Sequence, residues 1–154
     1  MFTLYSADFI NAPSNCSYPH KTEVRDAADL AAAVSRDHVC AEYMNHYRNG
    51  ENFLGSDCLP VDCDNDHSEN PADWVTPADV QAAFPGITFA VHYSRFHMRE
   101  KNGKPARPKF HVLFPMKKLA KDKMLRALSD QRYASTVYEQ EMTQDALLKA
   151  VQKN

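Results

Sequence analysis

Glycine is scarce in this chain, with four residues in 154, and residues 116–154 contain neither glycine nor proline. A stretch without turn formers, with Leu119, Met124, Leu125 and Leu128 at helical spacing, predicts a helical tail over 116–154. No apolar run approaches the ~18 residues that a membrane helix needs, so no membrane association is expected. Met1-Phe2-Thr3-Leu4-Tyr5 has no basic region followed by an apolar stretch, and a secretory leader is therefore not expected. The expected location is cytoplasmic. No Cys-x-x-Cys pair occurs among Cys16, Cys40, Cys58 and Cys63. Their irregular spacing predicts reduced thiols, buried as small hydrophobes. Cys58, Cys63 and His67 match no common structural zinc spacing. Internal repeats and low-complexity segments are also missing.

Hydrophobic residues make up 44% of the chain and charged residues 25%, which is ordinary globular composition. The net charge of −2 conceals a division. Residues 1–94 hold 4 Lys/Arg against 14 Asp/Glu, whereas residues 95–154 hold 14 against 6. An acidic half suits cations and a basic half suits phosphates, although two solvated faces or an internal charge match would give the same totals.

Phe2–Tyr5 predicts a first strand, followed by a loop through Lys21. Asp26 caps a helix running to Ser35. Val39–Tyr43 and Ser56–Asp64 are further strand candidates. Thr76-Pro77-Ala78-Asp79 is a helix start with a capping residue and proline at the first position, and Phe84-Pro85-Gly86 ends that helix. Ile87–Tyr93 and Pro108–Phe114 alternate as strands on either side of an Asn102-Gly103 turn, predicting a long hairpin. The expected fold is α+β, an antiparallel or mixed sheet with helices on one side. Residues 1–115 form its domain, with 116–154 as the helical tail.

Three constellations could carry chemistry. In Val61-Asp62-Cys63-Asp64, alternation on a strand points Asp62 and Asp64 to one face and Cys63 to the other. Two hard carboxylates side by side suit a divalent cation, with Asp66 near the strand end. The plainer alternative is a surface Asp/Asn turn, and a calcium loop lacks its glycine and later glutamate. In Lys109-Phe110-His111-Val112, parity sends Phe110, Val112 and Phe114 to the core, leaving His111 beside Lys109 on the opposite face. There His111 could donate to a phosphate, or simply be a half-exposed sheet histidine. Third, Ser94, Arg95, Arg99, Lys101, Lys104 and Arg107 surround the hairpin loop. Residues 95–126 hold 11 Lys/Arg against Glu100 and Asp122. Such a loop offers donors to nucleotide or nucleic-acid phosphates, or is a solvated hairpin tip.

Taken together, these motifs resemble the archaeo-eukaryotic primase-polymerase superfamily, in the versions carried by phages, plasmids and integrative elements. Val61-Asp62-Cys63-Asp64 matches its first motif. Lys109-Phe110-His111 matches the position of its second, with lysine in place of serine. The resemblance implies a sheet related to RNA-recognition modules and template-directed nucleotidyl transfer. It implies Mg2+ or Mn2+ as cofactor, with nucleoside triphosphate and DNA or RNA as partners. Asp62 and Asp64 would bind metal and His111 the incoming phosphates, with Ser94 and Arg95 assisting. A third acidic motif is not found, because Asp122, Asp130 and Asp145 lie in polar positions of expected helices. The chain therefore looks truncated. Loss of one carboxylate from such a site would cost on the order of 10²–10⁴ in rate. Three outcomes are open: a residual nucleotidyltransferase, a non-catalytic nucleotide or nucleic-acid-binding module, and an inhibitor of a host defence effector. The last, anti-CRISPR-like, would use its acidic half as a nucleic-acid mimic.

Overall fold

The computed structural model describes residues 1–101 and 103–120. Its fold class is α+β. Two compact units divide the chain. One contains Met1–Leu59 and the chain resuming at Pro115, and the other contains Pro60–Phe114.

In the first unit, β1 (Phe2–Ser6) lies between β2 (His20–Val24) and β3 (His38–Val39), with both pairings antiparallel. Every β1 residue is buried, as befits a central strand covered on both faces. Its polar members find partners. The Asp57 carboxylate accepts from Thr3 N and Thr3 Oγ1, each at 2.8 Å, and Ser6 Oγ donates to Ala33 O at 2.8 Å. Without those partners, each buried polar group would cost about 1–3 kcal/mol. Helix α1 (Ala27–Val34) packs on β1 and β2. Asp26 caps it, its Oδ1 accepting from the Ala28 and Asp29 amides at 2.9 Å. The expected strand over Val39–Tyr43 is in fact two. It breaks at Cys40, and β4 (Ala41–Tyr43) joins β5 (Phe53–Cys63) in another sheet. Strand β2 falls partly where a loop was expected.

The second sheet has the strand order β4-β5-β7-β6, with β6 (Ala90–Tyr93) antiparallel to β7 (Phe110–Ala120). In the second unit, Val61 and Cys63 of β5 meet Phe110 and Val112 of β7 and Val75, with Val80 from helix α2 (Pro77–Ala83). Phe84 meets Phe114 edge-on and Phe89 meets it at a tilt, with ring centroids 5.6 and 5.4 Å away. Thr76 and Asp79 form a reciprocal capping box at the start of α2. Past its end Gly86 takes φ 80°, a conformation open to residues without a Cβ.

The start of the tail also differs from the sequence expectation. Residues 116–120, expected to begin a helix, continue β7 as strand. The apolar spacing there is compatible with either period, and the sheet supplies partners that an isolated helical turn lacks. Lys118 Nζ, for instance, pairs with the Glu42 carboxylate at 2.5 Å. The remainder of the expected helical tail lies outside the described residues. Among the described residues, no helix is long and apolar enough to cross a membrane.

Two substitutions test this packing. Thr76→Ala should lower stability by about 1 kcal/mol through loss of the cap. Leu4→Ala, at a fully buried position, should cost about 2–5 kcal/mol. Urea unfolding checks both, with the midpoint falling and the slope unchanged.

Candidate functional site

Strand alternation builds the site within the second unit. Val61 and Cys63 face the core, so Asp62 projects from the opposite face of β5, its side chain 59% exposed. On β7, Phe110 and Val112 likewise face the core and send His111 to the other face, with Lys109 immediately before the strand. Asp62 and His111 meet there, with His111 Nε2 3.5 Å from Asp62 Oδ1. Across the hairpin, His92 is the register partner of His111, their rings 4.6 Å apart and edge-on at 76°.

Beyond β5 the chain turns at Asn65, which takes φ 55°, a left-handed conformation that asparagine tolerates better than most residues. Its buried side chain acts as a staple. Nδ2 donates to Val75 O and Pro108 O, both at 2.9 Å, and Oδ1 accepts from Val75 N at 2.8 Å. This staple fixes Asp64 and Asp66 on either side of it. Lys109 Nζ lies 3.2 Å from Asp64 Oδ1 and 3.5 Å from Asp66 Oδ1. Lys104 Nζ reaches Asp66 Oδ2 at 2.9 Å, and Arg107 Nη1 lies 3.5 Å from Asp66 Oδ1.

The carboxylates are therefore not equivalent. The Asp66 carboxyl is held below the ordinary aspartate range, first by the hydrogen bond from Lys104 and then by the nearby Lys109 charge. The Asp62 carboxyl is pushed upward, chiefly by desolvation against the sheet. His111 opposes that shift and Asp64 adds to it. Because water reaches more than half of the Asp62 side chain, the desolvation is partial.

Of the sequence-predicted residues, the structure gathers Asp62, Asp64, Lys109 and His111, with Arg107 and Lys104 adjoining through Asp66. Two of the residues expected to meet phosphates are buried and paired within the protein. Arg107 is 1% exposed and its guanidinium donates to Asn65 O at 2.8 Å and Ser68 O at 3.4 Å. Lys109 is 3% exposed and engaged by two carboxylates. Both cations hold the acidic turn instead of meeting solvent. Ser94 shapes the hairpin: its amide donates to Lys109 O at 2.9 Å, and its Oγ accepts from Phe96 N at 3.3 Å. Arg95 and Arg99 are exposed on the loop, and Lys101 Nζ sits 4.6 Å over the Phe96 ring. The loop closes at Gly103, φ 74°, between mutually bonded Lys101 and Lys104.

Sequence reasoning missed three contributors. Asn65 carries a signal, since asparagine between two aspartates suits a left-handed turn. His92 could have been found by pairing the hairpin from its turn. His97, whose Nδ1 accepts from Lys109 N at 3.2 Å, carries no local signal. No family model, curated protein or solved structure matches the chain.

Two outcomes follow from this electrostatic arrangement. Arg107→Met should destabilise the protein by about 1–3 kcal/mol for each buried acceptor it orphans, and Arg107→Lys should not fully restore the loss, because one ammonium nitrogen cannot replace both Nη1, which serves Asn65 O and Ser68 O, and Nε, which donates to Pro105 O. Urea unfolding measures this. Because the folded-state pKa of Asp66 is lowered, its contribution is present above the unfolded value and lost as pH falls through the folded one. The melting-temperature gap between wild type and Asp66→Asn should be constant above about pH 5 and close as pH falls below about 4.

Proposed function

We propose that this chain is a primase-polymerase-like protein of a mobile element that binds a divalent cation, Mg2+ or Mn2+, together with nucleotide or nucleic acid. One observation carries the reading: Asp62 and His111 meet on the face of the sheet opposite the core, 3.5 Å apart. A carboxylate and an imidazole so placed offer one hard donor to a cation and one donor to a phosphate. The residues fit a hard cation in chemistry. Asp62 would hold it, with Asp64 as the nearest further carboxylate, and the ion would supply charge neutralisation for bound phosphates. His111 would donate to a phosphate oxygen, and the exposed Arg95 and Arg99 would attract the chain of phosphates in a nucleic acid.

The reading is one of binding first. Lys109 engages Asp64 and Asp66, so the carboxylate row presents less negative charge than its sequence suggests. Phosphoryl-transfer catalysis depends mostly on placed charge, and we expect template-directed synthesis to be slow or absent. A cytoplasmic setting, where nucleotides and divalent cations are abundant, accords with this role.

The test is Mn2+ binding followed by electron paramagnetic resonance. Wild type should take up the ion and Asp62→Asn should lose it. Affinity should fall as pH drops through the raised Asp62 pKa, because protonation then removes the ligand. Ionising Asp62 lowers apo stability as pH rises through that pKa, so Mn2+ should stabilise the protein most above it. His111→Ala should weaken nucleoside triphosphate binding by about tenfold, the loss of one charge-assisted hydrogen bond. Uptake that is equal in wild type and Asp62→Asn would end the proposal.

A further inference from the structure

Lysine is among the side chains least often buried, and it is buried only where anions receive it. Lys109 is such a case, with its side chain 4% exposed and its ammonium between Asp64 and Asp66. The backbone beneath it is fixed from both sides, since its amide donates to His97 Nδ1 and its carbonyl accepts from Ser94 N. Behind it, Arg107 ties down the turn that carries both carboxylates.

We propose that Lys109 is a built-in counter-ion, occupying the position on the acidic row that a second divalent cation would take. The chain then binds a single ion, at Asp62. This inference rests on the metal-binding reading above. Around Asp64 and Asp66 the two carboxylates face three cations, Lys104, Arg107 and Lys109. Their sum is positive, so a divalent ion arriving at Asp64 would meet repulsion at a few ångströms from an ammonium shielded from water. Asp62 differs. The His111 imidazole, a metal ligand when neutral, lies 3.5 Å from it, the charges of Lys109 and Lys101 act on it less strongly than that of His111, and its side chain is 59% exposed. One row of aspartates thus contains one position for metal and another already filled by the protein's own charge. Lys109 acts as a specificity-determining residue, setting how many ions bind.

Mn2+ titration of the full chain, read by electron paramagnetic resonance, tests this in wild type, Lys109→Met, Lys109→Gln and Asp62→Asn. Wild type should bind one ion, lost in Asp62→Asn. The Lys109 variants should bind a second ion, or bind at least about tenfold more tightly. Combined with Asp62→Asn, either should retain an ion. Folded Lys109 variants with unchanged stoichiometry and affinity would overturn the inference and leave the Asp62 reading standing. Uptake by those variants but not by wild type would support the counter-ion and remove the wider reading. No uptake by any protein would end both. If neither variant folds without metal, recovery on refolding with Mn2+ supports the inference and failure to recover overturns it.

Discussion

A guanidinium and an ammonium cannot be withdrawn from water side by side unless carboxylates and carbonyls replace the solvent they lose. Arg107 and Lys109, two residues apart and just before β7, are both almost wholly buried. Apart from Pro105 O, which accepts from Arg107 Nε, and the Trp74 ring beneath the guanidinium, the partners found for these two side chains come from the short turn after β5: Asp64, the Asn65 carbonyl, Asp66 and the Ser68 carbonyl. Removing Arg107 would leave the Asn65 carbonyl without its donor, and removing Lys109 would leave Asp64 and Asp66 without the ammonium that lies between them. Removing the turn would leave buried charge without compensation. This mutual requirement fixes the end of β5 against the start of β7, and every other feature of the site inherits its position from it.

The same requirement separates the aspartates. Strand alternation alone would make Asp62 and Asp64 equivalent, two carboxylates on one face. The cations make them unequal, because Lys109 is committed to Asp64 while Asp62 stands opposite a histidine. Asp66, drawn down by Lys104, is kept ionised to lower pH than an ordinary aspartate. Asp62 is shifted the other way. Three carboxylates within five residues thus acquire separate electrostatic roles, set by what β7 and the hairpin loop place beside them.

What could be read from the sequence was local. Asp26 and Thr76 announce their helices because capping depends on residues within one turn. The hairpin and the opposite facing of Phe110 and His111 follow from alternation, which needs no knowledge of neighbours. The break at Cys40 was not legible, because which sheet a short strand joins is decided by distant partners. The continuation of β7 past Pro115 was hidden for a similar reason, since Met116 and Leu119 satisfy a helical spacing as readily as a strand. The burial of Arg107 and Lys109 runs against composition. In sequence they belong to a basic loop, and only the turn at residues 64–68 reveals that they are internal.

The charge division between the two ends of the chain takes on a different meaning in this light. An acidic first half and a basic remainder suggest two surfaces with separate partners. Yet Lys104, Arg107 and Lys109 discharge against Asp64 and Asp66, and Lys118 against Glu42. Part of the asymmetry is therefore intramolecular pairing, strand against strand. Among the described residues of the hairpin loop, Arg95 and Arg99 are exposed and Lys101 sits over the Phe96 ring, whereas Lys104, Arg107 and Lys109 are turned to carboxylates. A cation already engaged by a carboxylate has given up part of its charge to that partner, so the basic loop as the sequence presents it is not the basic surface that the fold leaves exposed.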